Sequence, residues 1–378
     1  MTASARTAQL QHAILRVAAR NEEIGFDLDR ARTPGADHFE LPPGLIAPGD
    51  RVLVVGLTGS ELARQVIRRD DLDSVLVIER DPDLCRRFEA DAVAVAVDGA
   101  ESGGLGWYLE QTELEDLRTD PKHLTRILRS GPVGDLASYR RLQDELALQC
   151  HERPLVPDGA LDVAILDSLN RLTPPKARTL LAECFRALRR SGKLLVNVIL
   201  ADEALPNCLR PLLDGLKLSF VPCETEILGY LDDAGFYGMA FERRGSMPSK
   251  VVGGIELRRH VLTAHKGKQG PCIDRGHAVM YRGPWRQVLD DDGHVYLRGE
   301  RTAVCEKTYE LLGRAPYAGH FLPVPPYTEV PREQAPVFDC DTPQLRSPRV
   351  TKGVATVFDD RSASGDGGST RCENGPCC

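Results

Sequence analysis

The feature that most constrains this chain is a short apolar run, met three times, each ended by a glycine or an acid. Residues 51–56 read Arg-Val-Leu-Val-Val-Gly, residues 74–79 read Ser-Val-Leu-Val-Ile-Glu, and residues 161–167 read Leu-Asp-Val-Ala-Ile-Leu-Asp. Runs this short and this apolar, bounded by turn residues, suit strands covered on both faces, as in the middle of a parallel sheet. Helical patterns separate them, over 62–69 and 82–90, and residues 92–97 are expected to form a third strand that ends at Asp98. Further on, 176–190 places Leu180, Leu181, Cys184 and Leu188 on one helical face, with Ser191-Gly192 as its stop. A strand over 193–200 and a helix over 225–234, closed by Gly235, complete the pattern. Strands alternating with helices in this way predict an α/β fold with a doubly wound, Rossmann-like sheet.

At 378 residues the chain is longer than one ordinary domain. Residues 8–20 read as an amphipathic helix within an N-terminal segment, 1–39, and a Pro/Gly-rich connector runs over 33–50. The sheet domain is expected over 40–245, with a polar helical insertion at 107–150. After Gly245 the helical periodicity fades, prolines accumulate, and short β-like runs occur at 256–265, 278–281 and 302–305. Residues 246–345 are therefore expected to form a smaller, mainly β or irregular module, and 346–378 a loose tail that contains cysteines.

Hydrophobic residues make up 42% and charged residues 27%, which excludes a wholly disordered chain. No run approaches the ~18 apolar residues of a membrane span, and no leader pattern opens the sequence, so a cytoplasmic protein with no membrane partner is expected. The net charge is −7 and the densest basic runs are pairs such as Arg189-Arg190, so nucleic acid is not an expected partner. Eleven cysteines at irregular spacing do not make a disulfide framework. Cys85 and Cys184 lie on apolar helix faces and read as core. Cys372, Cys377 and Cys378 follow a Ser/Gly/Asp-rich stretch that cannot build a core, which gives them the character of soft-metal or redox ligands.

Two places could carry chemistry. Gly56-Leu-Thr-Gly59-Ser-Glu61 joins a strand to a helix, where backbone N–H groups can approach a ligand. About 20 residues on, Glu79 ends the next strand, where a carboxylate can accept both ribose hydroxyls, and Asp98 is expected beside an adenine. The bland alternative is an ordinary α/β turn whose acids cap helices. A dinucleotide would want G-x-G-x-x-G, and a phosphate loop a Lys-Ser/Thr after its glycines. Neither is present, and S-adenosylmethionine remains as the adenosine cofactor. The second place is Asp167 and Ser168, after the following strand, where they would either line the methyl-transfer site or cap the next helix.

Residues 161–200, with Leu228-Gly-Tyr-Leu-Asp-Asp-Ala-Gly-Phe236, resemble a class I S-adenosylmethionine-dependent methyltransferase. In the C-terminal module, Gly253-Gly-Ile-Glu-Leu, Gly270-Pro-Cys272, Ala278-Val-Met-Tyr-Arg-Gly-Pro284, Ala303-Val-Cys305-Glu-Lys-Thr308 and Phe338-Asp-Cys340 resemble the arsenite methyltransferase family. The resemblance implies methyl transfer to trivalent arsenic held by cysteine thiolates, and the tail thiols Cys377 and Cys378, with Cys372, are expected to capture or deliver the metalloid. Soft thiolates suit a soft metalloid. The chain departs from the family where a cysteine follows the cofactor glycines, since Glu61-Leu-Ala-Arg-Gln stands there. It departs again at the family's Asn-Cys, which is Asp167-Ser168 here.

Two other readings stay open: a methyltransferase acting on a carbon, nitrogen or oxygen centre of a small metabolite, and an inactive methyltransferase-fold binding or sensing protein. Of the remaining groups, Asp290-Asp-Asp-Gly-His294 reads as a solvated turn. Tyr281, Trp285 and Tyr309 read as core aromatics of the small module.

Overall fold

The computed structural model describes residues 41–57, 61–98, 106–131, 133–167, 169–214, 216–267 and 270–359. The N-terminal helix expected at 8–20 lies outside the described residues, as do Gly59, Ser168, Cys372, Cys377 and Cys378. The chain divides into two compact units after Lys266.

The first unit is built on β1 (Arg51–Val55), β2 (Ser74–Glu79), β3 (Trp107–Gln111), β4 (Leu161–Leu166), β5 (Leu188–Ala201), β6 (Phe236–Arg244), β7 (Lys250–Val252) and β8 (Ile255–Lys266). They form one sheet in the order β3-β2-β1-β4-β5-β8-β6, with β7 paired to β8. The pairs β1–β2, β1–β4, β2–β3 and β4–β5 are parallel, whereas β8 runs antiparallel to β5 and β6. The doubly wound sheet expected from the sequence is thus present, with one reversed strand inserted near its far edge.

The helices of this unit are α1 (Glu61–Ile67), α2 (Pro82–Asp98), α3 (Pro121–Ser130), α4 (Leu136–Glu152), α5 (Pro174–Ala187) and α6 (Glu224–Asp233), of which α1, α2, α5 and α6 pack their apolar residues against the sheet. Strand β1 shows why its sequence has no polar face. Leu53 and Val55 join Leu166, Leu180 and Leu181 in one core, while Val52 and Val54 join Leu62, Val66 and Phe88 in the other. Successive side chains of a strand point to opposite faces, so a central strand between two helical layers must be apolar throughout.

Three sequence expectations are corrected. Residues 92–97 are not a strand: α2 continues through them to Asp98, because an Ala/Val run that extends an established helix costs little and no turn residue interrupts it. The third strand is instead Trp107–Gln111, read from the sequence as the start of the insertion. It sits at the sheet edge, where a half-exposed strand tolerates Tyr108, Glu110 and Gln111. The insertion is helical only beyond it, where Asp120 caps α3 and an Asp135–Ser138 capping box opens α4. The third correction concerns the module boundary, because residues 255–266 are β8 of the large sheet and not part of the C-terminal module.

The second unit contains β9 (Ala278–Tyr281), β10 (Gln287–Leu289), β11 (Val295–Leu297), β12 (Arg301–Ala303), β13 (Phe321–Val324) and α7 (Glu306–Leu312). Strands β12-β9-β13 form an antiparallel sheet and β10–β11 a hairpin, in keeping with the mainly β module expected. Tyr281, Tyr296, Leu312 and Phe321 form its core. Trp285 does not: it is 62% exposed, and the aromatic expected in the core is supplied by Tyr296. Tyr309 stacks on His277 with ring centroids 4.1 Å apart. Asp274 and Arg346 form an ion pair at 2.7 Å with both side chains buried, so the loose tail expected from residue 346 is corrected: 346–359 pack into this unit through Arg346, Val350 and Val357.

Candidate functional site

Ligands of doubly wound sheets bind beyond the carboxyl ends of the strands, so the residues after β1, β2 and β4 define the place to look. Gly56 leaves β1 with φ +89°, a left-handed backbone that favours glycine. Its N–H donates to the Ile78 carbonyl at 2.8 Å. The next N–H, of Leu57, donates to Glu79 Oε2 at 2.9 Å. The turn after β1 is thus tied directly to the acid that ends β2.

Glu79 is wholly buried. Its Oε1 accepts the N–H groups of Arg80 and Asp81, both at 2.9 Å, and its Oε2 also accepts Arg171 Nη1 at 2.8 Å. Four donors on two oxygens fill the lone-pair capacity of a carboxylate. The helix-capping role weighed as the bland alternative belongs to Asp81, whose Oδ1 accepts the Asp83 N–H at 2.9 Å. That hydrogen bond holds the Asp81 carboxyl below the usual range against the opposing effect of burial, helped by the Leu84 N–H, Arg171 and Lys217.

Asp167 follows β4 and is buried, its N–H donating to the Val55 carbonyl at 2.9 Å and its Oδ1 accepting Asn197 Nδ2 at 2.5 Å. Asp98 does not join this group as a strand-end acid. It ends α2, and the strand end where an adenine-facing acid was expected is occupied by Gln111. Two further residues matter here: Asn170, which stands beside Asp167 and Ser168 in the sequence but is given no role by it, and Arg171, which the sequence reading missed. Asn170 binds the Ile199 and Phe220 carbonyls through Nδ2 at 2.8 and 2.7 Å and accepts the Ile199 N–H at 2.8 Å, locking the loop after β4 to β5. Arg171 follows it, and the visible signal was a basic residue placed directly after a strand-end Asp-Ser-Leu-Asn. Beside the start of α5 lies a cavity of about 720 Å³ whose lining includes Pro174, Arg178, Leu205, Phe220 and Tyr230.

The described thiols of the first unit do not assemble. Cys85 and Cys184 are core, as expected, and burial pushes Cys85 up to about 11, with Glu79, Glu89 and Asp81 adding to it. Burial raises Cys184 further. Cys223 caps α6, and Cys150 lies near the end of α4. Cys272, Cys305 and Cys340 of the second unit behave differently, with sulfur atoms all within 4.8 Å of one another. Burial pushes Cys340 up to about 12, reinforced by the neighbouring thiols. Burial acts the same way on Cys272, yet hydrogen bonds with Cys340, Lys307 and Cys305 hold it below the ordinary thiol range.

Residues 268–356 match a family model described as a domain of unknown function, DUF8838. A comparison with curated proteins found no match. Among solved structures the chain is similar to an arsenic(III) S-adenosylmethionine methyltransferase from Chlamydomonas reinhardtii, at 18% identity over 88% of this chain and 98% of that one, with a TM-score of 0.44. It is also similar to a putative sarcosine dimethylglycine methyltransferase from Galdieria sulphuraria, at 12% identity over 59% and 80% of the two chains and a TM-score of 0.38. A third is an S-adenosylmethionine-dependent methyltransferase from Methanosarcina mazei, at 14% identity over 60% and 98%, with a TM-score of 0.36. The fold class is the one the strand order already gives: a Rossmann-like, doubly wound sheet followed by smaller antiparallel sheets.

Proposed function

We propose that the chain is an S-adenosylmethionine-dependent methyltransferase acting on a soft acceptor, such as trivalent arsenic held by thiols or a related metalloid. The observation that carries the cofactor reading is the hydrogen-bonded link from the Gly56–Leu57 turn to Glu79 at the carboxyl edge of the sheet. That edge fits an adenosine ligand in kind: a left-handed turn open to backbone approach, a carboxylate at the end of β2, and Asp167 at the end of β4. Bound there, S-adenosylmethionine would supply a sulfonium methyl group open to in-line attack.

The chain's own residues would do the following. Gly56 lets the backbone come close to the ligand, and Glu79 Oε2 would accept one ribose hydroxyl in exchange for the Arg171 guanidinium. Asn197 fixes the Asp167 carboxylate, and Asn170 keeps the loop after β4 in register. Cys372, Cys377 and Cys378 would deliver the metalloid, and holding donor and acceptor together supplies much of the rate. A small-molecule or metalloid substrate and a cytoplasmic setting belong to the same proposal. Among the described residues, no helix is long and apolar enough to cross a membrane.

One observation favours a second reading. Because Arg171 occupies Glu79, a methyltransferase-fold binding or sensing protein that has closed its ribose site would show this same pair. Calorimetric titration of the reduced protein with S-adenosylmethionine, repeated with arsenite present, separates the two. Micromolar binding strengthened by arsenite is the result expected of a metalloid methyltransferase, since coupling of two ligands is reciprocal. Binding indifferent to arsenite would move the acceptor to a small metabolite, and no binding would leave the closed-site reading.

A further inference from the structure

We propose that Cys272, Cys305 and Cys340 form a tri-thiolate site for a soft, thiophilic ion, built into the second unit and independent of methyl transfer. The three residues come from separate segments. Cys272 precedes β9, Cys305 lies between β12 and α7, and Cys340 belongs to the stretch that runs beside β12. They meet because the backbone brings them together. The Phe338 N–H donates to the Cys272 carbonyl at 2.8 Å, and the Glu306 N–H to the Ile273 carbonyl at 3.0 Å. The Ala303 N–H donates to the Gln344 carbonyl at 2.9 Å, and His294 Nε2 lies 2.8 Å from the Cys340 carbonyl.

Three thiols used only as small apolar fillers would pack against alkyl groups and have no need of one another. Here Ala303 and Phe338 surround them, yet the sulfurs share one point within 4.8 Å and all three are free thiols. Beside Cys305 and Cys340 lies a cavity of about 30 Å³, also lined by Tyr296, Thr308 and Phe338. That is room for about one water molecule or ion.

Soft sulfur donors select soft or borderline ions over magnesium or calcium. Zinc(II) would displace three protons and take a water into its fourth position. Arsenous acid would exchange three As–O bonds for three As–S bonds, releasing three waters with no change of oxidation state. By contrast, the Asp290, Asp292 and His294 cluster is spent on itself: Asp290 accepts the Asp292 and His294 N–H groups and pairs with His294 Nδ1 at 2.9 Å.

The test uses the reduced full-length chain with Cys372, Cys377 and Cys378 changed to serine, so that tail thiols cannot answer for the site. Zinc(II) is titrated against a chromophoric chelator and arsenite by its sulfur charge-transfer absorption, with X-ray absorption counting the sulfur neighbours. The expected result is one ion per chain with three sulfur neighbours, and the better-bound ion identifies the source. Cys340→Ser and Cys272→Ser, both at half-buried positions where folding can be checked by circular dichroism, should each weaken binding by at least about a hundredfold. Loss of a direct ligand should exceed the 10–100-fold cost of losing an outer contact. Cys184→Ser should leave binding unchanged. Failure of both ions to bind, or binding that survives Cys272→Ser and Cys340→Ser, overturns the proposal. Neither readout depends on S-adenosylmethionine, so the site stands or falls apart from the methyltransferase reading.

Discussion

Arg171 Nη1 lies 2.8 Å from Glu79 Oε2 and closes the last open position on a carboxylate that three backbone N–H groups already hold. Both side chains are shielded, with Glu79 fully and Arg171 largely out of solvent. A ribose diol and this guanidinium cannot use the same lone pair, so the pair sets the state of the candidate cofactor edge.

Arg171→Ala should therefore tighten S-adenosylmethionine binding measured by calorimetry, while lowering the stability of the first unit by about 1–3 kcal/mol for the lost charge-assisted hydrogen bond. Glu79→Ala should abolish binding and cost more stability, because three backbone donors lose their acceptor. If Arg171→Ala leaves affinity unchanged or weakens it, the guanidinium is not in competition with the ligand.

Gly56→Ala isolates the turn. A non-glycine residue at φ +89° pays roughly 1–2 kcal/mol, so the substitution should destabilise the chain by about that amount in denaturant unfolding. The same change should weaken S-adenosylmethionine binding by about tenfold or more, because the turn must shift away from the Glu79 bond. Wild-type affinity in the variant would remove Gly56 from the cofactor edge.

The sequence shows the sheet wherever burial is two-sided and hides it where burial is not. Strands β1, β2 and β4 announce themselves because their middle positions are covered on both faces and are apolar, with polar residues only near their ends. Strand β3 does not, because at the sheet edge only one face needs cover. The site divides in the same way. Glu79 and Asp167 were legible as acids at strand ends. Arg171 was not, since its partner lies 92 positions away and only the fold brings them together. Nor was the meeting of Cys272, Cys305 and Cys340, whose spacing matches no metal motif and which converge only through the pairing of β9, β12 and the stretch beyond Phe338.

In the second unit, the buried Asp274–Arg346 pair gives a stability prediction. Arg346→Met removes the cation and leaves the Asp274 charge out of water, which should cost about 3–5 kcal/mol. The double variant Asp274→Asn/Arg346→Met should recover much of that loss, since no uncompensated charge remains. Denaturant titration of the four proteins checks it, and an Arg346→Met loss below about 1 kcal/mol would show that the pair is hydrated in solution.

Acid stability of the first unit should depend on Asp162. Burial alone would raise its carboxyl, but hydrogen bonds from the Arg51 N–H at 2.8 Å and from the Arg189 and Arg51 guanidinium groups outweigh that effect and hold it below its ordinary 3.8. A carboxyl whose folded pKa lies below its unfolded one releases its proton more readily in the native state. Its contribution is therefore fully present above the unfolded value and lost as pH falls through the folded one. Unfolding free energies measured from pH 6 down to pH 2 should fall more steeply below about pH 4 in the wild type than in Asp162→Asn. Both arginines are nearly half exposed, so the difference at neutral pH should stay modest. Parallel profiles for the two proteins would mean that Asp162 titrates alike in the folded and unfolded chains, and that the bonds joining the start of β1 to β4 and Arg189 do not persist in solution.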